Sequence, residues 1–232
     1  MELNSYIDHT ALKAYTTLDE IKKVCDEAVK YHFASVCVNP SYVSSAKEYL
    51  KNSTVNVCTV IGFPLGANTI ATKEFEAIDA VNNGADEIDM VINIGALKNK
   101  DYDYVKKEIE DIRDAIDGKV LKVIIETCYL TDEEIKKMTE ICNDTFVNFI
   151  KTSTGFGTRG ASIEDIEIIN ENKNEVLEIK ASGGIKNFEQ AEQFINMGVT
   201  RIGTSNGVEI MNNECNCEDC HCDHNCKCEH DN

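Results

Sequence analysis

Between Tyr6 and Gly203, short β-branched and apolar runs alternate with longer stretches of helical period, with polar loops between them. The runs predict eight strands: Tyr6–Thr10, Ser35–Val38, Asn56–Ile61, Glu87–Ile92, Leu121–Glu126, Val147–Lys151, Val176–Lys180 and Thr200–Gly203. The stretches between them carry helix signals. Thr17-Leu18-Asp19-Glu20 and Thr131-Asp132-Glu133-Glu134 are capping boxes, in which a hydroxyl and a carboxylate satisfy amides left unpaired in a first turn. Asn187-Phe188-Glu189-Gln190 is a weaker version, and Asn82-Asn83-Gly84 and Met197-Gly198 read as helix stops. Eight strands alternating with helices predict an α/β domain with a parallel sheet, most commonly closed as a (β/α)8 TIM barrel. An open doubly wound sheet is the rival. No G-x-G-x-x-G follows the first strand, which counts against its dinucleotide-binding form.

Composition sharpens this picture at both ends of the chain. The 232 residues are 42% hydrophobic and 28% charged, enough for a sizeable core. No run approaches the ~18 apolar residues of a membrane span, and Met1–Lys13 contains no apolar h-region, so a cytoplasmic protein without a signal peptide or membrane partner is expected. A net charge of −18 repels phosphate backbones and predicts no nucleic-acid partner, while leaving room for a local cationic pocket that takes a small anion. Of eleven cysteines, Cys25, Cys37, Cys58, Cys128 and Cys142 sit singly in apolar surroundings, as free thiols do in a reducing compartment. The other six, Cys215, Cys217, Cys220, Cys222, Cys226 and Cys228, crowd the end of the chain. A boundary therefore falls near Asn212, giving a barrel over 1–212 and an acidic tail over 213–232. The tail has too few apolar residues to fold by burial. Its three C-x-C pairs, with His221, His224 and His230, suit Zn²⁺ or Cu⁺ in a role apart from catalysis.

The candidate chemistry lies where charge enters apolar strands. In Glu87-Ile88-Asp89-Met90-Val91-Ile92, Ile88, Met90 and Ile92 share one face and pack under helices, which turns Asp89 into the barrel. Two strands end in lysine: Lys151 before Thr-Ser-Thr-Gly, and Lys180 before Ala-Ser-Gly-Gly. A structural ion cluster would explain any one of these residues. The pair suits amine catalysis, because a free lysine is protonated up to ~10.4 and a second ammonium nearby disfavours the charged form. The neutral amine attacks a carbonyl, and Asp89 is the candidate for moving protons. Gly155, Gly183, Gly184, Gly203, Thr204 and Ser205 follow the last three strands, where barrels often hold phosphate.

At this point the chain resembles the deoxyribose-phosphate aldolase family of class I aldolases, from Ile7 to about Met211. The resemblance is carried by Ile7-Asp8-His9-Thr10-Ala11-Leu12-Lys13, Val36-Cys37-Val38-Asn39-Pro40 and Val60-Ile61-Gly62-Phe63-Pro64-Leu65-Gly66. It continues through Gly84–Asn93, Leu121–Thr127, Phe149–Phe156, Ile179–Ile185 and Arg201–Ser205. It implies a (β/α)8 barrel that uses no metal or organic cofactor for catalysis. The implied reaction is reversible cleavage of 2-deoxy-D-ribose 5-phosphate to D-glyceraldehyde 3-phosphate and acetaldehyde. Lys151 resembles the Schiff-base lysine, Lys180 its cationic neighbour, Asp89 the proton-transfer carboxylate and Asp8 a second acid of the relay. The six loop residues match the phosphate site, and Cys37 lies near the substrate pocket, most simply as a packed core thiol. A homodimer is a family expectation. There are departures from the pattern. Asn206 stands where a serine is usual, Arg159 in a variant loop offers itself to phosphate, and no tyrosine follows Tyr129, so a C-terminal tyrosine of some members has no counterpart. Two other readings remain open: a Schiff-base aldolase for another phosphorylated sugar, and a metal-sequestering protein with the barrel as carrier.

Overall fold

The computed structural model describes residues 3–212. Eight parallel strands, β1 (Ile7–Ala11), β2 (Ser35–Val38), β3 (Asn56–Ile61), β4 (Glu87–Val91), β5 (Val120–Ile124), β6 (Phe149–Lys151), β7 (Glu178–Ser182) and β8 (Arg201–Thr204), form a closed barrel in chain order. The ring shuts where Ile7, Asp8 and His9 pair with Ile202, Gly203 and Thr204, which excludes the open sheet. The helices are α1 (Leu18–Tyr31), α2 (Val43–Tyr49), α3 (Ile70–Asn82), α4 (Ile94–Lys98), α5 (Tyr102–Ala115), α6 (Asp132–Asp144), α7 (Ile163–Asn172), α8 (Phe188–Asn196) and α9 (Gly207–Asn212). No helix among the described residues is long and apolar enough to cross a membrane. The tail, with its six expected metal ligands, lies outside the described residues.

Both predicted capping boxes form, on α1 and α6. At α8, Asn187 caps Gln190 N, but the Gln190 side chain accepts from Lys186 N instead, so the reciprocal half is missing. Buried residues on α1 (Ile21, Cys25, Ala28) and α5 (Val105, Ile109, Ile112) repeat at three- and four-residue spacing and belong to the same core as Ile88, Met90 and Ile92, the outward face of β4, with α1 set against β1 and β2. Each such buried Ile contributes roughly 1.5–3 kcal/mol. A second, smaller cluster of Leu12, Cys37, Cys58 and Val60 fills the barrel interior.

All strands but β2 and β3 shift at an end by one or two residues, and the shifts of β7 and β5 matter for the site. Val176 is 78% exposed, and its amide and that of Leu177 are held by the Asn174 side chain. This Asx turn delays β7, which then runs on past Lys180 to Ser182. At β5 the strand ends at Ile124, because Glu126 adopts φ 54° and leaves the sheet.

Candidate active site

Register places the charged residues. Lys151 and Lys180 are directly opposed in the β6–β7 pairing, and Asp89 and Lys122 in the β4–β5 pairing. All four point inward. Lys151 Nζ and Lys180 Nζ both donate to Asp89 Oδ2, at 2.8 and 2.7 Å. The two nitrogens therefore stand no further apart than those two bonds laid end to end. Asp89 Oδ1 accepts from Lys122 at 2.8 Å and from the Cys58 thiol at 3.1 Å. Lys180 also pairs with Asp8 Oδ2 at 2.6 Å, while Asp8 Oδ1 accepts from Ser35 at 2.6 Å and Arg201 at 2.8 Å. Glu87 completes the cluster, 2.5 Å from Lys122 and 3.0 Å from Arg201. Four cations (Lys122, Lys151, Lys180, Arg201) thus face three carboxylates (Asp8, Glu87, Asp89).

Burial alone would neutralise these groups, and their partners reverse it. Burial pushes Lys180 down, but Asp8 and Asp89 outweigh it and hold its ammonium above the ordinary lysine range. Burial pushes Asp89 up, but Lys122, Lys151 and Lys180 hold it well below the usual carboxylate range. Asp8 is likewise held down by Lys180, Arg201 and Lys122 against its burial. In the resting site Lys180 is thus held as a cation and Asp89 as an anion.

A cleft of about 800 Å³ opens above this cluster at the C-terminal mouth of the barrel. Lys151 reaches it, whereas Asp89, Lys180, Lys122 and Asp8 stand behind. The six predicted loop residues, Gly155, Gly183, Gly184, Gly203, Thr204 and Ser205, all line it, as does Asn206. Gly203 has a further reason to be glycine: a Cβ there would sit 2.9 Å from Ser182 Cβ and 3.1 Å from Lys180 Cε. Gly160 is needed because a Cβ would fall 1.9 Å from Gly183 O, so these two loops stack backbone on backbone.

Other expectations land differently. Arg159 is committed to Asp165, with Nη2 at 2.9 Å from Oδ1 and Nη1 on Oδ2, and does not line the cleft. Its place in the phosphate site is corrected: the short turn to Asp165 holds the guanidinium instead. Glu126 is also spoken for, since it accepts from the amide and hydroxyl of Thr154 and so shapes the loop after Lys151. Cys37 is fully buried opposite Cys58, a packed interior thiol. Lys122, Glu87, Arg201 and Ser35 had no assigned part. Strand alternation carries the signal for Lys122, which lies on the same inward parity that marks Asp89. His9 turns the other way, to Glu27 of α1 at 2.8 Å, and lines the cleft wall with it.

Fold and site together define a (β/α)8 barrel enzyme with a lysine-floored, glycine-rimmed cleft. Residues 3–213 match the model of the DeoC/LacD family aldolases. The chain is 58% identical over 211 residues to the deoxyribose-phosphate aldolase of Finegoldia magna, which covers 91% of this chain and 99% of the relative. Among solved structures, "QR15, an Aldolase" is similar at a TM-score of 0.88 and 42% identity, covering 91% of this chain and 95% of that one. The tetrameric deoxyribose phosphate aldolase of Aeropyrum pernix is similar at 0.84 and 28%, covering 90% and 89%. The chain belongs to the DeoC/LacD aldolase family, and so to the carbon–carbon lyases.

Proposed function

We propose that this aldolase cleaves 2-deoxy-D-ribose 5-phosphate reversibly to D-glyceraldehyde 3-phosphate and acetaldehyde, through a Schiff base on Lys151, in deoxynucleoside catabolism in the cytoplasm. The observation that carries this reading is the amine at the cleft floor sharing one carboxylate oxygen with a second, fixed ammonium. With four cations to three carboxylates, loss of one proton brings the cluster to neutrality, and Lys151 is the member that opens on the cleft.

The neutral Lys151 amine adds to C1 of the open-chain sugar, and loss of water gives an iminium. A base removes the C3 hydroxyl proton, the C2–C3 bond breaks, and its electrons pass into the iminium to form an enamine. Glyceraldehyde 3-phosphate leaves. Protonation at C2 and hydrolysis then release acetaldehyde and the amine. Asp89 acts as the proton carrier through a water. In the resting site its oxygens are occupied by Lys122, Cys58, Lys151 and Lys180, and imine formation withdraws N–H donors of Lys151, which leaves Oδ2 with Lys180 and with capacity to accept from a water beside the reacting carbons. Asp8 holds Lys180 and supplies the second carboxylate of the relay. The cleft loops Gly155, Gly183, Gly184 and Gly203–Ser205 take the phosphate. No catalytic cofactor is called for, because the iminium is the electron sink. The six tail cysteines are assigned to Zn²⁺ or Cu⁺ binding apart from this chemistry, and a homo-oligomer, most simply a dimer, is the assembly.

Borohydride reduction in the presence of acetaldehyde tests the covalent step. The expected result is an ethyl adduct on the Lys151 peptide, absent in Lys151→Ala, together with cleavage of deoxyribose 5-phosphate in preference to ribose 5-phosphate. An adduct on another lysine sinks the assignment of the nucleophile, and a preference for ribose 5-phosphate sinks the substrate.

A further inference from the structure

Cys37 and Cys58 are register partners across β2 and β3, and both belong to the barrel-interior cluster. Their sulfurs and a carboxylate oxygen of Asp89 all lie within 4.8 Å of one another. Ligand atoms on one tetrahedral ion, with metal–sulfur bonds near 2.3 Å and metal–oxygen bonds near 2.1 Å, stand roughly 3–4 Å apart. Small side-chain adjustments therefore bring all three onto a single ion. Two sulfurs and one oxygen are a donor set for thiophilic cations and a poor one for Mg²⁺ or Ca²⁺. The neighbouring trio of Asp8, Cys58 and Glu87 is less suited, with one sulfur and both carboxylates already bound to Arg201 and Lys122.

Charge is the obstacle, since cations already outnumber carboxylates here. The obstacle vanishes when a divalent ion displaces both thiol protons: M²⁺ enters, two H⁺ leave, and two S–H bonds become two M–S bonds. The local charge is unchanged.

We propose that Cys37, Cys58 and Asp89 form an inhibitory site for a thiophilic divalent cation, of which Cd²⁺ and Zn²⁺ are the representatives. The ion takes the Asp89 oxygen that now accepts from the Cys58 thiol and Lys122. Asp89 is then a metal ligand and no longer a proton carrier. The effect on turnover rests on the function proposed above, but occupancy of the site does not.

The test is equilibrium dialysis of the full chain at fixed free Cd²⁺, comparing wild type with Cys37→Ser, alongside turnover. The tail thiols are common to both proteins and cancel. The expected result is one Cd²⁺ fewer per chain in Cys37→Ser. Cadmium inhibition of the variant should be at least about tenfold weaker, reversed in wild type by a chelator, with little change in uninhibited turnover. Equal stoichiometry overturns the site. Lost stoichiometry with unchanged inhibition overturns its inhibitory role. If wild type lacks turnover altogether, the aldolase reading fails while the dialysis still decides the site. Should Cys37→Ser fold poorly, anomalous scattering from a cadmium-soaked wild-type crystal decides instead: a peak bonded to both sulfurs supports the site, and bare sulfurs overturn it.

Discussion

Lys180 touches two carboxylates, Asp8 at 2.6 Å and Asp89 at 2.7 Å, and is sealed from solvent. Its side chain has room only because Gly203 presents no Cβ. Lys180→Met keeps the volume and removes the charge. Loss of one partner from a buried ion cluster costs about 3–5 kcal/mol, so the denaturation midpoint falls, although Arg201 and Lys122 still pair with Asp8 and Asp89. The more telling readout is the activity–pH profile. With its cationic neighbour gone, the reacting amine gives up its proton less readily, and the profile moves to higher pH. A profile that drops in height without moving would leave Lys180 a structural cation and remove it from the proposed chemistry.

At the scale of elements, β4 carries Asp89 and is pinned from outside the barrel. Lys73 of α3 donates to Val91 O at 2.7 Å and to Glu108 of α5 at 2.6 Å, and Glu108 accepts from Asn93 N at 2.9 Å. Both side chains are fully buried, and burial pushes Lys73 down and Glu108 up, against their mutual attraction. Lys73→Met strands a carboxylate and should destabilise by about 3–5 kcal/mol, whereas adding Glu108→Met should recover part of the loss. Chemical denaturation of the two single variants and the double closes the cycle, and strictly additive losses would deny the coupling. The strands themselves were legible from local pattern, β2 and β3 to the residue. Lys151 and Lys180 were legible because each ends a strand and precedes a loop of small residues. Lys122 shows only in the strand alternation, because it lies near the start of an apolar run and away from the strand end. The Asp8–Arg201 bond joins residues 193 positions apart and depends on closure of β1 against β8, for which no local pattern speaks.

For the whole molecule, the buried cluster sets how stability follows pH. Asp8 and Asp89 titrate far below their unfolded values of about 3.9, so the unfolded chain takes up protons first as pH falls and stability declines below about pH 4. On the alkaline side, burial pushes Cys25 up to about 12 and Cys142 higher still, while an unfolded thiol titrates near 8.5. Their contribution is complete below that unfolded value and drains away above it, and Lys180 adds a further loss above about 10.4. Glu108 at the acid end, and Lys73 and Cys37 at the alkaline end, act in the opposite sense and are outnumbered there. The expected curve is a plateau from about pH 4 to 8.5 with a falling limb on each side. Denaturant midpoints measured across that range check it. Cys142→Ala supplies the sharper control: cavity formation lowers the whole curve by roughly 1–2 kcal/mol, and the alkaline limb becomes shallower because one raised thiol is gone. An alkaline limb of unchanged slope would mean that the buried thiols do not set it.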